Sequence, residues 1–377
     1  MRIVAVLLLI TASPAALRAD EDRAAALVRQ LGNPSFRVRE EAGKRLVELG
    51  RAAFPALQAG LDDREPEVRY RCKQILPAIF DLEMKARLDA FLADPDSDGD
   101  HALPGWQRFR KLVGGTPADR ILFGRIARAD LRLLEAVENR PRQSAAERLA
   151  GRCSQIQMQL QSPALSLRGG VQLADIAELL FLGTNPDVTL TPQAIQLVNA
   201  LTYQPVFQHG LQAGDHAAAV KKLLLAWIDR NVDDPNTCYV IANLLKMTGL
   251  PELAQPALRM AANPKLIAYA RAAALVALGK TENKGLVPKL EELLMDETLV
   301  SNFAWNNIRG QTQIRDVALA MVIHLSGQQP AEFGFETLKS NPSFINSYYY
   351  LGFASNSARD AALDKWKAWK KQNEKGK

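Results

Sequence analysis

The sequence predicts an all-α chain built from stacked antiparallel helix pairs, and three observations carry that expectation. Residues 24–49 recur at 54–79: a shift of 30 places Leu27 on Leu57, Leu31 on Leu61, Val38 on Val68, Arg39 on Arg69, Ala42 on Cys72, Leu46 on Leu76 and Leu49 on Ile79. Within each copy the later positions step by four, four and three, the spacing of one helical face. A fixed period of this size made of two short helices marks a repeat array. The spacing returns near the other end, where Ile314-Arg315, Ala318, Val322 and Leu325 match Val38-Arg39, Ala42, Leu46 and Leu49. No segment alternates apolar and polar residues for long enough to suggest a strand.

The first element is a signal peptide over residues 1–19. Met1-Arg2 is followed by an apolar run from Ile3 to Ile10 and a small-residue stretch ending at Ala19, with cleavage after Ala19 or, alternatively, after Ala15. The run is shorter than the roughly 20 apolar residues that span a bilayer, and no later segment reaches that length. The chain is expected to be exported, to the periplasm or the cell exterior.

Residues 20–82 form an N-terminal repeat pair. A helix over 20–31 carries Asp20, Glu21 and Asp22 at its positive end. Gly32-Asn33-Pro34 breaks it, and Ser35 is placed to cap a second helix running to Leu49. Pro55 starts a third helix and Pro66 opens a fourth. Here Phe54-Pro55-Ala56-Leu57 resembles the first-helix opening of the HEAT repeat family. Leu61-Asp62-Asp63 followed by Pro66-Glu67-Val68-Arg69 resembles its turn and second-helix start. The resemblance implies an α-α superhelix, a HEAT-like solenoid. The order of parts resembles exported bacterial HEAT-repeat proteins with no defined biochemical role, and it brings no catalytic motif.

Residues 83–150 read as a linker loop and a helical connector. Asp94 to Gly105 is polar, and Thr116 with Asp119 is placed to cap a long helix over about 117–138, with Ile121, Ile126, Leu131 and Leu134 available for packing. Residues 165–330 read as helical pairs over Leu173–Leu182, Pro192–Leu201, Ala217–Ile228, Val240–Met247 and Pro251–Ala261, with breaks at Asn185-Pro186, Gly210 and Asp234-Pro235. HEAT-like units end this region, one carrying Ala270-Arg271, Ala274 and Leu278, the other running from Val287 to Leu325. In the latter, 20 positions separate Leu294 from Ile314 where the first unit has 7, an insertion of 13. Residues 331–377 form a C-terminal capping segment with a basic tail.

Composition supports a soluble folded protein, at 47% hydrophobic and 23% charged residues. The formal net charge of +6 falls to +4 once Arg2 and Arg18 leave with the signal, too mild for a specific nucleic-acid partner. Three cysteines without close spacing argue against a disulfide framework. Cys72 takes the place of Ala42 and is expected in the core, while Cys153 and Cys238 pair only if the fold brings them together.

Candidate chemistry is sparse. Asp94, Asp96 and Asp98 with Gly99 match the start of an EF-hand calcium loop, and Asp100 adds a carboxylate, but Gly105 stands where the bidentate carboxylate belongs. The segment is a weak calcium site or a solvated acidic linker, and no other cofactor is expected. His101, His209, His216 and His324 lie in no zinc motif. His209 and His216 are expected in an inter-helix loop. No nucleophile elbow, phosphate loop or dinucleotide fingerprint is present. Arg39, Arg69, Arg271 and Arg315 recur beside core positions, so stacking aligns them in a row. They either reach loop acids such as Asp62 or Asp63, or form an anion-binding ridge. Trp366 and Trp369 stand among Lys365, Lys367, Lys370 and Lys371, either as a membrane-surface helix or as a cap over the array's open end. Leu363, Trp366 and Lys370 share one helical side, which favours the cap, and Tyr348-Tyr349-Tyr350 is expected beneath it. Three function classes follow. The preferred one is a non-catalytic scaffold for an unidentified protein partner. The others are a binder of anionic polymer or membrane surface, and a hydrolase or lyase on a solenoid scaffold.

Overall fold

A computed structural model of the protein describes residues 14–94, 96, 99–139, 142–162 and 170–374. Among the described residues the fold is all-helical apart from one small two-stranded sheet. Among the described residues no helix is long and apolar enough to cross a membrane. The described residues fall into two compact units, one within 1–107 and 123–135, the other within 108–122 and 136–377.

The first unit contains the thirty-residue echo. Helix α1 (Pro14–Gln30) packs on α2 (Phe36–Leu49) and on α3 (Phe54–Gly60), α3 packs on α4 (Pro66–Ala93), and α2 packs on α4. Helix α1 thus begins upstream of the expected Asp20, and the apolar run Ile3–Ile10, on which export rests, lies outside the described residues. Leu27, Leu31, Ala42, Leu46, Leu57, Val68, Cys72 and Ile79 are buried in one core. Burying each large aliphatic side chain gains roughly 1.5–3 kcal/mol, so no single helix pair could form this core alone. Val38, Leu49 and Leu76 are half-buried, and Leu61, at the end of α3, is 38% exposed.

The turns repeat as faithfully as the core. The Asn33 side chain accepts the Ser35 N–H at 2.9 Å, and thirty residues later the Asp63 carboxylate accepts the Glu65 N–H at 2.9 Å. Ser35 makes no capping hydrogen bond with its own side chain. The Asx turn two residues earlier replaces the expected cap, because Asn33 already orders the entry to α2.

Beyond α4 the chain forms α5 (Trp106–Leu112), α6 (Pro117–Ala129) and α7 (Leu131–Asn139). The loop before α5 is pinned in the first unit, with Leu103 and Trp106 buried and the Trp106 ring 4.9 Å from that of Phe91. The single helix expected over 117–138 is interrupted at Asp130, whose carboxylate accepts the Leu133 N–H at 2.8 Å and starts α7. At the start of α6 the Thr116 N–H and hydroxyl donate to the Asp119 carboxylate at 3.0 and 2.8 Å, the reciprocal cap anticipated there. Leu122 and Ile126 of α6 are buried, and Ile121 is exposed.

The second unit continues with α8 (Arg142–Gln161), α9 (Leu173–Gly183), α10 (Pro192–Leu201), α11 (Pro205–Gln212), α12 (Ala217–Asn231), α13 (Pro235–Thr248), α14 (Ala254–Ala262) and α15 (Ala268–Gly279). Gly210 does not break the chain as expected; it lies within α11, where an added Cβ would come within 2.8 Å of Leu173. His209 is therefore an exposed helical residue rather than part of a loop. At the end of α9, Gly183 admits the buried Trp227 ring, which an added Cβ would meet at 2.1 Å.

Short helix α16 (Val287–Glu291) is followed by strands β1 (Leu299–Trp305) and β2 (Ile308–Gln313), which pair antiparallel. This hairpin lies in the segment that carries the insertion. Asn306 and Asn307 both have positive φ, 46° and 64°, as a two-residue turn matched to strand twist requires. Helix α17 (Ile314–Leu325) starts directly from β2, α18 (Glu336–Ser340) follows, and α19 (Asn356–Glu374) ends the described chain. Tyr348-Tyr349-Tyr350 lies against the hairpin rather than beneath α19: the Tyr349 carbonyl accepts from Thr312 Oγ1 at 3.0 Å, and the Tyr350 ring stacks on Phe344 at 4.2 Å.

Candidate functional site

The equivalent second helices α2 and α4 enclose a solvent-open groove of about 570 Å³ in the first unit. Gly43, Val47, Ile75 and Ala78 give it an apolar lining, and Glu40, Lys44, Glu48 and Arg71 supply charge of both signs. Gly43 leaves the room: a Cβ there would only touch Ile75, at 3.6 Å. Tyr70 lines the groove at 61% exposure, and Phe36 at the start of α2 is 64% exposed.

An ion-pair ladder fixes the two helices. Arg71 donates to Glu40 of the preceding copy at 2.8 Å and to Glu67 one turn back at 2.6 Å, and Arg39 approaches Glu67 at 3.1 Å. The Glu40 hydrogen bond raises the Arg71 pKa, and the Arg71 hydrogen bond holds the Glu67 carboxyl below its usual range. The Arg39 and Arg71 guanidinium carbons sit 5.7 and 5.9 Å from the centre of the Phe36 ring, close enough for cation–π attraction. The ladder positions an aromatic and a mixed-charge surface on paired helices, the kind of surface proteins use as contact anchors.

The arginine row is committed to the fold's own turns. Arg39 donates to the Asn33 and Pro34 carbonyls at 2.7 and 3.0 Å, and Arg69 to the Asp63 and Arg64 carbonyls at the same distances. In the second unit Arg271 is buried between the Ala261 carbonyl, at 2.8 Å, and the Asp296 carboxylate of the next turn. Arg315 bonds Glu297 and Gln313, each at 2.7 Å. These guanidiniums therefore tie turns and successive units, and an anion ridge would compete with those bonds.

Trp366 is 2% exposed and donates to Glu291 at 3.1 Å, beside Lys370, which bonds the same carboxylate at 2.7 Å. Trp369 stacks on Trp366 at 5.1 Å and is half-buried. Of the aspartates proposed for calcium, Asp98 lies outside the described residues. Asp94 and Asp96 are exposed, and Asp100 accepts the Ala102 N–H at 2.9 Å and the Gln107 amide at 3.0 Å. Among the described residues no three His, Cys, Asp or Glu side chains converge as a metal-holding group.

Cys72, Cys153 and Cys238 are free and buried, so Cys153 and Cys238 do not pair. Burial pushes their thiols up to about 11, 11 and 12. A thiol raised in the folded state favours folding fully below its unfolded pKa, about 8.5. That contribution is lost as pH rises through 11 to 12. Native protein at pH 8 should leave all three thiols unreactive to a disulfide reagent while guanidinium exposes all three, and the urea midpoint should fall between about pH 9 and 11.

No protein-family model, curated protein or solved structure matches this chain. The groove residues Tyr70 and Arg71, and Phe36 beside them, carry no repeat signal in the sequence. Phe36, Glu40 and Lys44 stand opposite Pro66, Tyr70 and Gln74, where the copies differ.

Proposed function

We propose that this protein is an exported, non-catalytic HEAT-like α-solenoid scaffold that holds a protein partner along the second-helix groove of its N-terminal repeats. One observation carries the reading. The two copies agree at repeat core positions such as Leu27 and Leu57 or Leu46 and Leu76, and at turns, but diverge at the positions lining an open groove, where α2 and α4 present Tyr70 and charges of both signs beside the exposed Phe36. Core and turn residues serve stacking, which every unit needs; divergence at the groove is what a surface fitted to one partner requires. Exposed aromatic side chains on a rigid frame provide contact area at little entropic cost. Export rests on the signal-like segment over residues 1–19.

The test is photo-crosslinking in the exporting cell. A benzophenone side chain at Tyr70 should give a discrete adduct with another protein, and the same probe at Gln58, exposed on α3, should give none. Equal adducts at both positions, or none at Tyr70, would remove the groove as the binding surface.

A further inference from the structure

The second unit holds a pocket of about 470 Å³ where α5, the end of α9 and α12 meet. Leu112, Pro186 and Ala226 give it apolar walls, and Arg108, Lys111, Asp229 and Arg230 bring charge. Two of these charges are neutralised. Arg108 bonds Glu138 at 2.9 Å, donates to Thr184 Oγ1 at 2.8 Å and lies 3.8 Å from the centre of the Phe181 ring. Asp229 pairs with Arg259 at 2.6 Å.

The other two are not. Arg230 donates to the Gly183 carbonyl and, at 2.5 Å, to the Val188 carbonyl, both neutral acceptors, and forms no ion pair among the described residues. Burial and the like charge of Arg108 both press its pKa down, so Arg230 is held against an electrostatic cost. Lys111 is exposed at the pocket and makes no hydrogen bond or ion pair among the described residues. A half-buried guanidinium that bonds two neutral carbonyls and is repelled by Arg108 is a position that favours a negative ligand.

Size and lining narrow the ligand. The volume suits a small organic molecule, and apolar walls with a few convergent polar groups are the usual make-up of such sites. A bare inorganic anion would leave those walls wet, whereas an apolar body carrying one carboxylate satisfies both parts. The planar fork of Arg230 has donors left over to meet two carboxylate oxygens. We infer that this pocket binds an amphipathic carboxylate, its head on Arg230 and Lys111 and its apolar body against Leu112, Pro186 and Ala226. A medium-chain free acid and the C-terminal residue of a polypeptide share this chemistry.

Calorimetric titration of the full chain separates these cases, using octanoate, octanamide, acetyl-leucine and acetyl-leucinamide as probes. Each carboxylate should bind at least about ten-fold tighter than its amide, the worth of one charge-assisted contact. Tighter binding of acetyl-leucine than of octanoate supports a polypeptide terminus, and the reverse order a free acid. Lys111→Met should weaken carboxylate binding about ten-fold and leave amide binding unchanged. Arg230→Met should do the same, although losing the Gly183 and Val188 contacts could unfold it. Lys111→Met has no such contact to lose, so a folded Lys111→Met protein that binds octanoate like the parent would overturn the inference. Equal binding of acid and amide, or no binding of either acid, would also overturn it.

Discussion

Leu46→Asp should abolish cooperative folding of the N-terminal helix pairs. Leu46 is fully buried in the core shared by α1 to α4, on the face that repeats at Leu76. The substitution removes the aliphatic contacts, at about 2–5 kcal/mol for a large-to-small change, and places an unpaired carboxylate in their stead. A loss of this size approaches the whole stability of an ordinary domain, about 5–15 kcal/mol. Lys44→Asp, two residues away on the open groove, introduces the same side chain where water can solvate it and should cost within about 0.5 kcal/mol. Urea unfolding followed by circular dichroism gives both values. A Leu46→Asp midpoint equal to that of the parent would contradict the packing register.

Arg359→Met should be nearly as damaging in the second unit, for a different reason. Arg359 of α19 donates to both carboxylate oxygens of Asp316 in α17, at 2.6 and 3.1 Å, with the two side chains 2% and 0% exposed. Asp316 also accepts the Gln313 N–H at 2.8 Å, closing the cap of α17. Removing one partner of a buried pair costs about 3–5 kcal/mol because the other charge stays buried alone. Burial already pushes the Asp316 carboxyl above its usual range, and Arg359 pulls it back. Without Arg359 the folded-state pKa rises further, so the folded state retains a proton that the unfolded state releases. The variant's stability deficit should therefore be smallest in acid and grow as pH rises above about 4. Asp316→Leu combined with Arg359→Met should restore most of the loss, since a well-packed apolar pair can replace a buried ion pair. Thermal melts between pH 4 and 8 would show the trend; a deficit independent of pH would remove Asp316 as its cause.

Local signals carried much of the architecture. The four-four-three spacing placed α2 and α4, the Pro192–Leu201 helix appears at its expected bounds, and Thr116 with Asp119 caps α6. Each of these features depends on residues within a turn or two of one another. The hairpin is not legible in the sequence, although the insertion that holds it is. Leu299 to Trp305 interleaves Ser301 and Asn302 irregularly and carries a bulge, so the alternation is poor; the Asn306-Asn307 pair was the usable cue. Helix α11 was missed because Gly210 reads as a breaker in isolation, and only Leu173, far earlier in sequence, explains why glycine is needed there. The Asp316–Arg359 pair and the Arg230 pocket join residues more than forty positions apart with no local pattern. The groove was half legible: its two helices followed from the repeat, whereas Tyr70 and Arg71 occupy positions where the copies diverge.

Residues 35–64 form an exchangeable unit in a repeat array, so the decisive measurement is to add one. A second copy of residues 35–64 inserted after Arg64 restores every junction, because Ser35 then follows Arg64 as Glu65 does in the parent. In a stacked array each added unit brings its own interface to its neighbours. The enlarged protein should unfold in a single transition at or above the parent melting temperature and gain helical ellipticity in proportion to the added helices. An insert of residues 35–62 alone, which shifts the frame by two positions, should lower that temperature. Loss of cooperative unfolding on in-frame insertion, or equal behaviour of the two inserts, would contradict the repeat.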